Sequence, residues 1–283
     1  MSNLVRRMRP LMGCFVEIAL PAGLDPLRAE RAFEAAFASL SDSAAAWSFQ
    51  DPASLLSRLN SGATVAVDRH TERLLRLARA LTRASRGLFN CTVGGALVAS
   101  GRLPDHGGAA ALPQGQAGDI EVGRGWARLA RPVRLTLDGI AKGFAVDLAI
   151  EALQREGVEA GLINAGGDLR VFGGLAVPLE RRELDGRLSP LGRLRDAAVA
   201  TSRVAVDNAD AQSFPAWLLA PDGTPPAPGV WTVLARRAWR ADALTKVAAS
   251  APADSRADCV AALGGLLVEP ATAGDLQGAE EAA

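Results

Sequence analysis

The sequence predicts an α+β fold in which mixed, largely antiparallel sheets and packed helices surround one crevice. Three observations predict it. Helix-length apolar periodicity occurs in three runs, 25–46, 71–85 and 140–157. Short β-rich runs accompany them, two of which, Ala127–Ala130 and Val133–Leu137, read as a hairpin. No internal repeat and no long linker divides the chain, so residues 1–270 are expected to form one domain, followed by an acidic, alanine-rich tail over 271–283.

The elements follow in order. Cys14–Leu20 alternates and is β-rich, which predicts a strand. Asp25–Ala46 places Leu27, Ala32, Phe33 and Leu40 at apolar helical positions. Ser48–Pro52 breaks that helix, and Ser54–Asn60 resumes as a short helical turn ending at Asn60-Ser61-Gly62. Val65–Val67 is a short extended piece, and Thr71–Ser85 is a helix stopped by Arg86-Gly87. Residues 101–127 are rich in Gly, Pro and Asp and read as a surface excursion. Ile140–Gly157 is helical, Ala160–Asn164 is a buried strand, and Leu169–Phe172 continues after a glycine turn. Short strands are expected within 197–206, 216–220 and 230–236, and an αβ pair, Ala241–Ala249 with Asp258–Val268, closes the domain.

Composition excludes several classes. Lys+Arg and Asp+Glu are both 31, which removes a global electrostatic case for nucleic acid or an anionic membrane. Short basic runs such as Arg6-Arg7-Met8-Arg9 read as solvated faces. The three cysteines, Cys14, Cys91 and Cys259, have neither metal nor disulfide spacing and suit a reducing compartment. No run reaches the roughly eighteen apolar residues of a membrane span. Leu11-Met12-Gly13-Cys14 resembles a lipoprotein cleavage box, but only Pro10 separates it from Arg9, where a signal peptide needs an apolar stretch of about 7–15 residues. As written, the chain is expected to be cytoplasmic. His70 and His106 lie in polar, loop-like contexts, so no Ser-His-Asp or Cys-His arrangement can be assembled.

Two motifs carry the chemistry. In Gly139-Ile140-Ala141-Lys142-Gly143 a strand gives way to a helix, whose N-terminus favours anions, and Lys142 adds a point charge for phosphate. The glycine spacing is neither that of a P-loop nor that of a dinucleotide fingerprint. By itself the segment could equally be an ordinary βα turn. Asn164-Ala165-Gly166-Gly167-Asp168 follows an apolar strand and could equally be a glycine-rich turn with an aspartate cap. Together, one helix and one strand apart, they suggest a nucleotide-phosphate site. Asp242 opens a later helix, either as a cap or as a Mg2+ ligand, since one carboxylate with phosphates and waters can hold that ion.

In order along the chain, these pieces resemble the FAD:protein FMN transferase family, long called thiamine-biosynthesis lipoproteins. The resemblance runs from about Arg9 to about Gly265: Met12-Gly13, Ser48–Asn60, Gly87–Gly94, Gly139–Asp147, Asn164–Arg170 and Ala241–Leu244. It implies a T-fold-like α+β architecture around a flavin-nucleotide crevice. It also implies FAD as substrate with Mg2+, and transfer of FMN to a Ser or Thr hydroxyl of an acceptor protein, with AMP leaving. Nucleic acid and stable membrane insertion are not expected.

By the same resemblance, Met12 and Leu88-Phe89-Asn90 contact the flavin nucleotide, as do Gln50, Thr136, Asp138 and Leu218 at aligned positions. Lys142 lies by the pyrophosphate, and Asn164 and Asp168 shape the crevice floor. The Gly139 carbonyl, Asp242, and Thr245 or Lys246 hold Mg2+, with Asp242 and Lys142 as the catalytic pair. Several positions depart from the family. Asn90 stands where the family has Asp, Thr136 takes the place of another family Asp, and Asp138 replaces a glycine. Lys246 stands where a Thr is common; four residues from Asp242 on a helix, it can pair with that carboxylate and compete with the metal. The family's base histidine aligns with Trp217, which leaves open a catalytically impaired flavin-binding carrier or accessory protein.

Overall fold

Two hairpins set the centre of the molecule, a computed structural model that describes residues 4–204 and 226–268. In the first, β1 (Leu4–Leu11) pairs with β2 (Cys14–Pro21) around Met12-Gly13, whose φ values are 52° and 71°. Positive φ at both central residues matches the right-handed twist of the flanking strands. The strands β3 (Val65–Ala66), β4 (Ile120–Val122) and β5 (Trp126–Leu129) form a small separate sheet. The second central hairpin joins β6 (Gly161–Ala165) to β7 (Asp168–Phe172) through Gly166 and Gly167, at φ 62° and 102°. Asn164 Oδ1 closes that turn by accepting from the Gly167 N–H at 3.0 Å.

β2 and β6 are antiparallel neighbours, so both turns lie side by side at one end of the sheet. A Cβ at Gly166 would sit 2.9 Å from Cys14 Cβ. After the hairpin β8 (Ala176–Arg182) and β9 (Leu188–Arg195) come β10 (Ala198–Val204), β11 (Gly229–Ala235) and β12 (Leu266–Val268). The main sheet runs β1-β2-β6-β7-β10-β11-β12 and is antiparallel at every pairing.

Seven helices occur among the described residues: α1 (Pro26–Trp47), α2 (Leu55–Asn60), α3 (Arg69–Ala84), α4 (Gly94–Ala99), α5 (Ala141–Arg155), α6 (Ala238–Ser250) and α7 (Arg256–Ala262). Asp25 accepts from the Arg28 N–H at 2.9 Å and Pro26 fills the first helical position, which fixes the start of α1. α5 buries every residue from Gly143 to Ile150 because α1, α6 and the sheet enclose it. On the opposite face of the sheet, Val177 and Leu194 of the β8–β9 hairpin cover Leu162, Leu169, Val171 and Val199.

Several expectations need correction. The hairpin expected between 127–130 and 133–137 does not form; β5 pairs instead with β3 and β4. The backbone of 133–137 is satisfied elsewhere. Asn60 bonds both the N–H and the C=O of Leu135, at 2.7 and 2.8 Å. Gly94 N–H donates to the Arg134 carbonyl and Thr136 N–H to that of Cys91.

β1 and the β8–β9 hairpin carry no apolar run that the sequence reading recognised. In β1 the arginines lie against α1: Arg7 pairs with Glu30 and Arg9 with Glu34, and their guanidiniums stack 4.8 and 4.4 Å from the Phe33 and Phe37 ring centres. The 101–127 excursion contains a single 3-10 turn, Ala117–Asp119, β4 and the first two residues of β5. The stretch 258–268 divides into most of α7 and β12. The strand expected at 216–220 lies outside the described residues, as does the tail. No helix among those described is long and apolar enough to cross a membrane.

Candidate active site

The two helices that carry the motifs cap each other. Neither the residue before α5, Ile140, nor the residue before α6, Arg237, supplies a side-chain cap. Asp147 of α5 accepts from the N–H groups of Ala238 and Trp239, each at 3.1 Å, while Asp242 Oδ2 of α6 accepts from the Gly143 N–H at 3.1 Å. Each carboxylate thus sits where the partner helix exposes free N–H groups and the positive end of its dipole. A Cβ at Gly143 would stand 2.3 Å from the Ala238 carbonyl oxygen, so only glycine lets the two termini meet. Arg170 of β7 closes on Asp147, which joins the last residues of the two glycine motifs. Burial pushes the Asp147 carboxyl up and the Arg170 guanidinium down, the mark of a pair whose desolvation outweighs its attraction.

Beside this clasp lies a cavity of about 490 Å3. Leu88, Phe89, Val93, Leu97 and Leu103 make one wall apolar, and Asp138, Lys142 and Lys246 charge another. Thr136 Oγ1 donates to Asp138 Oδ2 at 3.1 Å, and burial pushes the Asp138 carboxyl up. Lys142 Nζ lies 3.4 Å from Asp168 Oδ2, an oxygen that is buried and accepts no hydrogen bond among the described residues. Burial, followed by the charge of Asp242, pushes Asp168 up to about 7, whereas the Asp168 charge raises Lys142. These two shifts compete, since Lys142 is raised only while Asp168 is ionised. The open 3.4 Å geometry favours the burial side, with Asp168 holding a proton more readily than a solvated carboxyl does.

Lys246 lies across the clasp from Lys142. Its Nζ donates to Asp242 Oδ1 at 2.6 Å, to the Asp242 carbonyl at 3.1 Å and to Ser202 Oγ at 3.1 Å. Thr245 Oγ1 donates to the same carbonyl at 2.7 Å and lies 2.6 Å from Ser202 Oγ.

The sequence profile described as the ApbE family matches residues 12–266. The chain belongs to the ApbE family. An FAD:protein FMN transferase of Rhodobacter capsulatus is 32% identical over 139 residues, which are 45% of this chain and 27% of that protein. Three solved structures share the fold. The Pseudomonas stutzeri flavinyl transferase ApbE in its apo form superposes with a TM-score of 0.74 at 19% identity, covering 94% of both chains. The flavin transferase ApbE of Vibrio cholerae gives 0.73 at 21%, covering 92% of this chain and 91% of its own. The ApbE protein of Thermotoga maritima gives 0.74 at 21%, covering 94% and 93%.

On this ApbE fold, nine residues singled out from the sequence line this cavity: Gln50, Leu88, Phe89, Asn90, Thr136, Asp138, Gly139, Lys142 and Lys246. Asn90 also holds its own loop, donating to the Gly115 carbonyl and accepting from Thr92. Asp138, two residues after Thr136, accepts from the Thr136 hydroxyl.

Met12 and Asn164 shape hairpin turns outside the cavity lining. Asp168 reaches the lining only through Lys142, and Asp242 and Thr245 are buried behind Lys246. Leu218 and Trp217 lie outside the described residues. Of the histidines, His70 is in the first turn of α3 rather than in a loop, and exposed His106 lies 2.8 Å from the Phe49 carbonyl through Nε2. Sequence reasoning missed Ser202, Asp147 and Arg170. Asp147 and Arg170 carried a signal as the closing residues of their motifs, and Ser202 as the serine of a Ser-Arg pair that resembles a Ser-Gly segment of the family.

Mg2+ demands near-octahedral oxygen ligands and retains waters. Here both carboxylate oxygens of Asp242 and its carbonyl already accept bonds, from Lys246, Gly143 and Thr245. A divalent ion about 4 Å from an ammonium is repelled by about 8 kcal/mol at an effective dielectric of about 20. These residues, arranged so, do not fit Mg2+.

Proposed function

We propose that the chain is an FAD:protein FMN transferase, moving FMN from FAD to a Ser or Thr hydroxyl of an acceptor protein and releasing AMP. The observation that carries this is one cavity in an ApbE fold with an apolar wall at Leu88, Phe89 and Leu97 and a cationic wall at Lys142 and Lys246. The flat, largely apolar flavin ring suits the first wall and the pyrophosphate the second.

In the transfer, the hydroxyl oxygen forms a bond to the FMN phosphorus, the pyrophosphate bridge breaks, and AMP leaves with the bonding electrons. Phosphoryl chemistry of this kind depends on positioning and charge neutralisation. Lys142 and Lys246 offset the charge that develops on the phosphate oxygens and on the leaving AMP. The hydroxyl proton passes to Asp138, whose carboxyl lies in the cavity wall and is raised by burial. Mg2+, which the family resemblance implies, takes no part in this reading because of its misfit at Asp242.

The test is to incubate the purified chain with FAD and an acceptor carrying a flavinylation motif, then measure in-gel flavin fluorescence and AMP. Both signals are expected. Asp138→Asn should lower the transfer rate by about 10^2-fold or more while FAD still binds. A second reading, a flavin-binding protein without transfer, is favoured by Trp217 at the family's histidine position. FAD bound with neither fluorescence nor AMP would select it.

A further inference from the structure

The oxygens around Lys246 are of the kind a hard cation takes: a carboxylate, a backbone carbonyl and a hydroxyl. An ammonium has three donors, and all three are used, on Asp242 Oδ1, the Asp242 carbonyl and Ser202 Oγ. Thr245 fixes two of these acceptors through its own hydroxyl. A Cβ at Gly139 would lie 3.3 Å from Lys246 Cε, so the glycine leaves room for the lysine stem. Lys246 also lines the cavity, as Lys142 does, so its charge can meet an anionic ligand there.

We propose that the Lys246 ammonium is the resident cation of this site and stands in for a divalent metal, so that the protein binds a nucleotide pyrophosphate without Mg2+. A tethered ammonium is held by four covalent carbons and a helix, so no chelator removes it. It brings one charge where a metal brings two, and Lys142 supplies a second. The identity of the ligand rests on the flavin-nucleotide reading; the identity of the cation does not.

Two measurements on the full chain test it. Mn2+, a probe for hard oxygen sites, is titrated into wild type, K246T and D242N and followed by the loss of its free EPR signal. FAD affinity is measured by fluorescence in EDTA and in Mg2+. Wild type should leave the Mn2+ signal intact and bind FAD equally, within about twofold, in both buffers. K246T should take up Mn2+, bind FAD about tenfold more weakly in EDTA, and recover in Mg2+. Uptake of one Mn2+ by wild type that D242N abolishes overturns the proposal, as does a tenfold gain in wild-type FAD affinity with Mg2+. If no form binds FAD, the nucleotide reading and its metal-free binding fall, while the Mn2+ arm still decides what occupies the cation position. If K246T does not fold, the wild-type measurements decide alone.

Discussion

Asp147→Ala should be among the most damaging single changes in this protein, although Asp147 touches neither the cavity nor any expected ligand. The substitution removes two hydrogen bonds from the first turn of α6 and strands Arg170, whose side chain is only 12% exposed. Loss of an N-terminal cap costs about 1 kcal/mol. Breaking a buried ion pair from one side costs about 3–5 kcal/mol, because the remaining charge stays desolvated. The cap loss falls partly within that figure, so we expect a loss of about 4 kcal/mol, or about 10 °C in melting temperature for a domain of this size.

The assay is urea unfolding followed by far-UV circular dichroism, with Arg170→Met and the double variant completing a thermodynamic cycle. The midpoint should fall with unchanged slope, and the double variant should be more stable than the sum of the single losses by about 2 kcal/mol. A loss below about 1 kcal/mol, or simple additivity, would refute the assignment of Asp147 as cap and charge partner.

Three further outcomes are expected. Asn60→Ala should cost about 2–3 kcal/mol by urea denaturation, because it leaves the buried N–H and C=O of Leu135 without their partners; a neutral result would mean that the segment re-pairs. Asp168 keeps its proton to about 7 when folded but to only about 4 when unfolded, so the unfolded chain binds fewer protons between those values and stability falls as pH rises through the window. Asp168→Asn should flatten that fall, read as urea midpoints at successive pH values. Cys91, buried and pushed up to about 12, should resist iodoacetamide at pH 8 in the native protein and react once the protein is unfolded, as intact-mass spectrometry would report.

Helices α1, α3 and α5 were legible because their information is local, in the form of periodic apolar positions and, for α1, a cap next to Pro26. The glycine turn at 166–167 and the Asp242–Lys246 pair were legible for the same reason, since their partners stand within four residues. β1 was obscured because its arginines are half of a contact whose other half is α1. The hairpin expected at 133–137 failed because Asn60, distant in sequence, supplies the hydrogen bonds that a neighbouring strand would have supplied.

The sequence by itself determined the α+β class, the order of the motifs and the residue types that face the cavity. The tertiary structure alone decided what those residues do to one another. Asp147 caps a helix 91 residues away, Gly143 donates to a carboxylate 99 residues away, and Ser202 meets Lys246 across 44 residues. The first two exist because packing brings two helix termini together and the third because β10 lies against α6, and each satisfies polar groups that burial would otherwise leave unpaired. A motif shows which groups a site has to work with, whereas their charge states and partners depend on what the fold buries beside them.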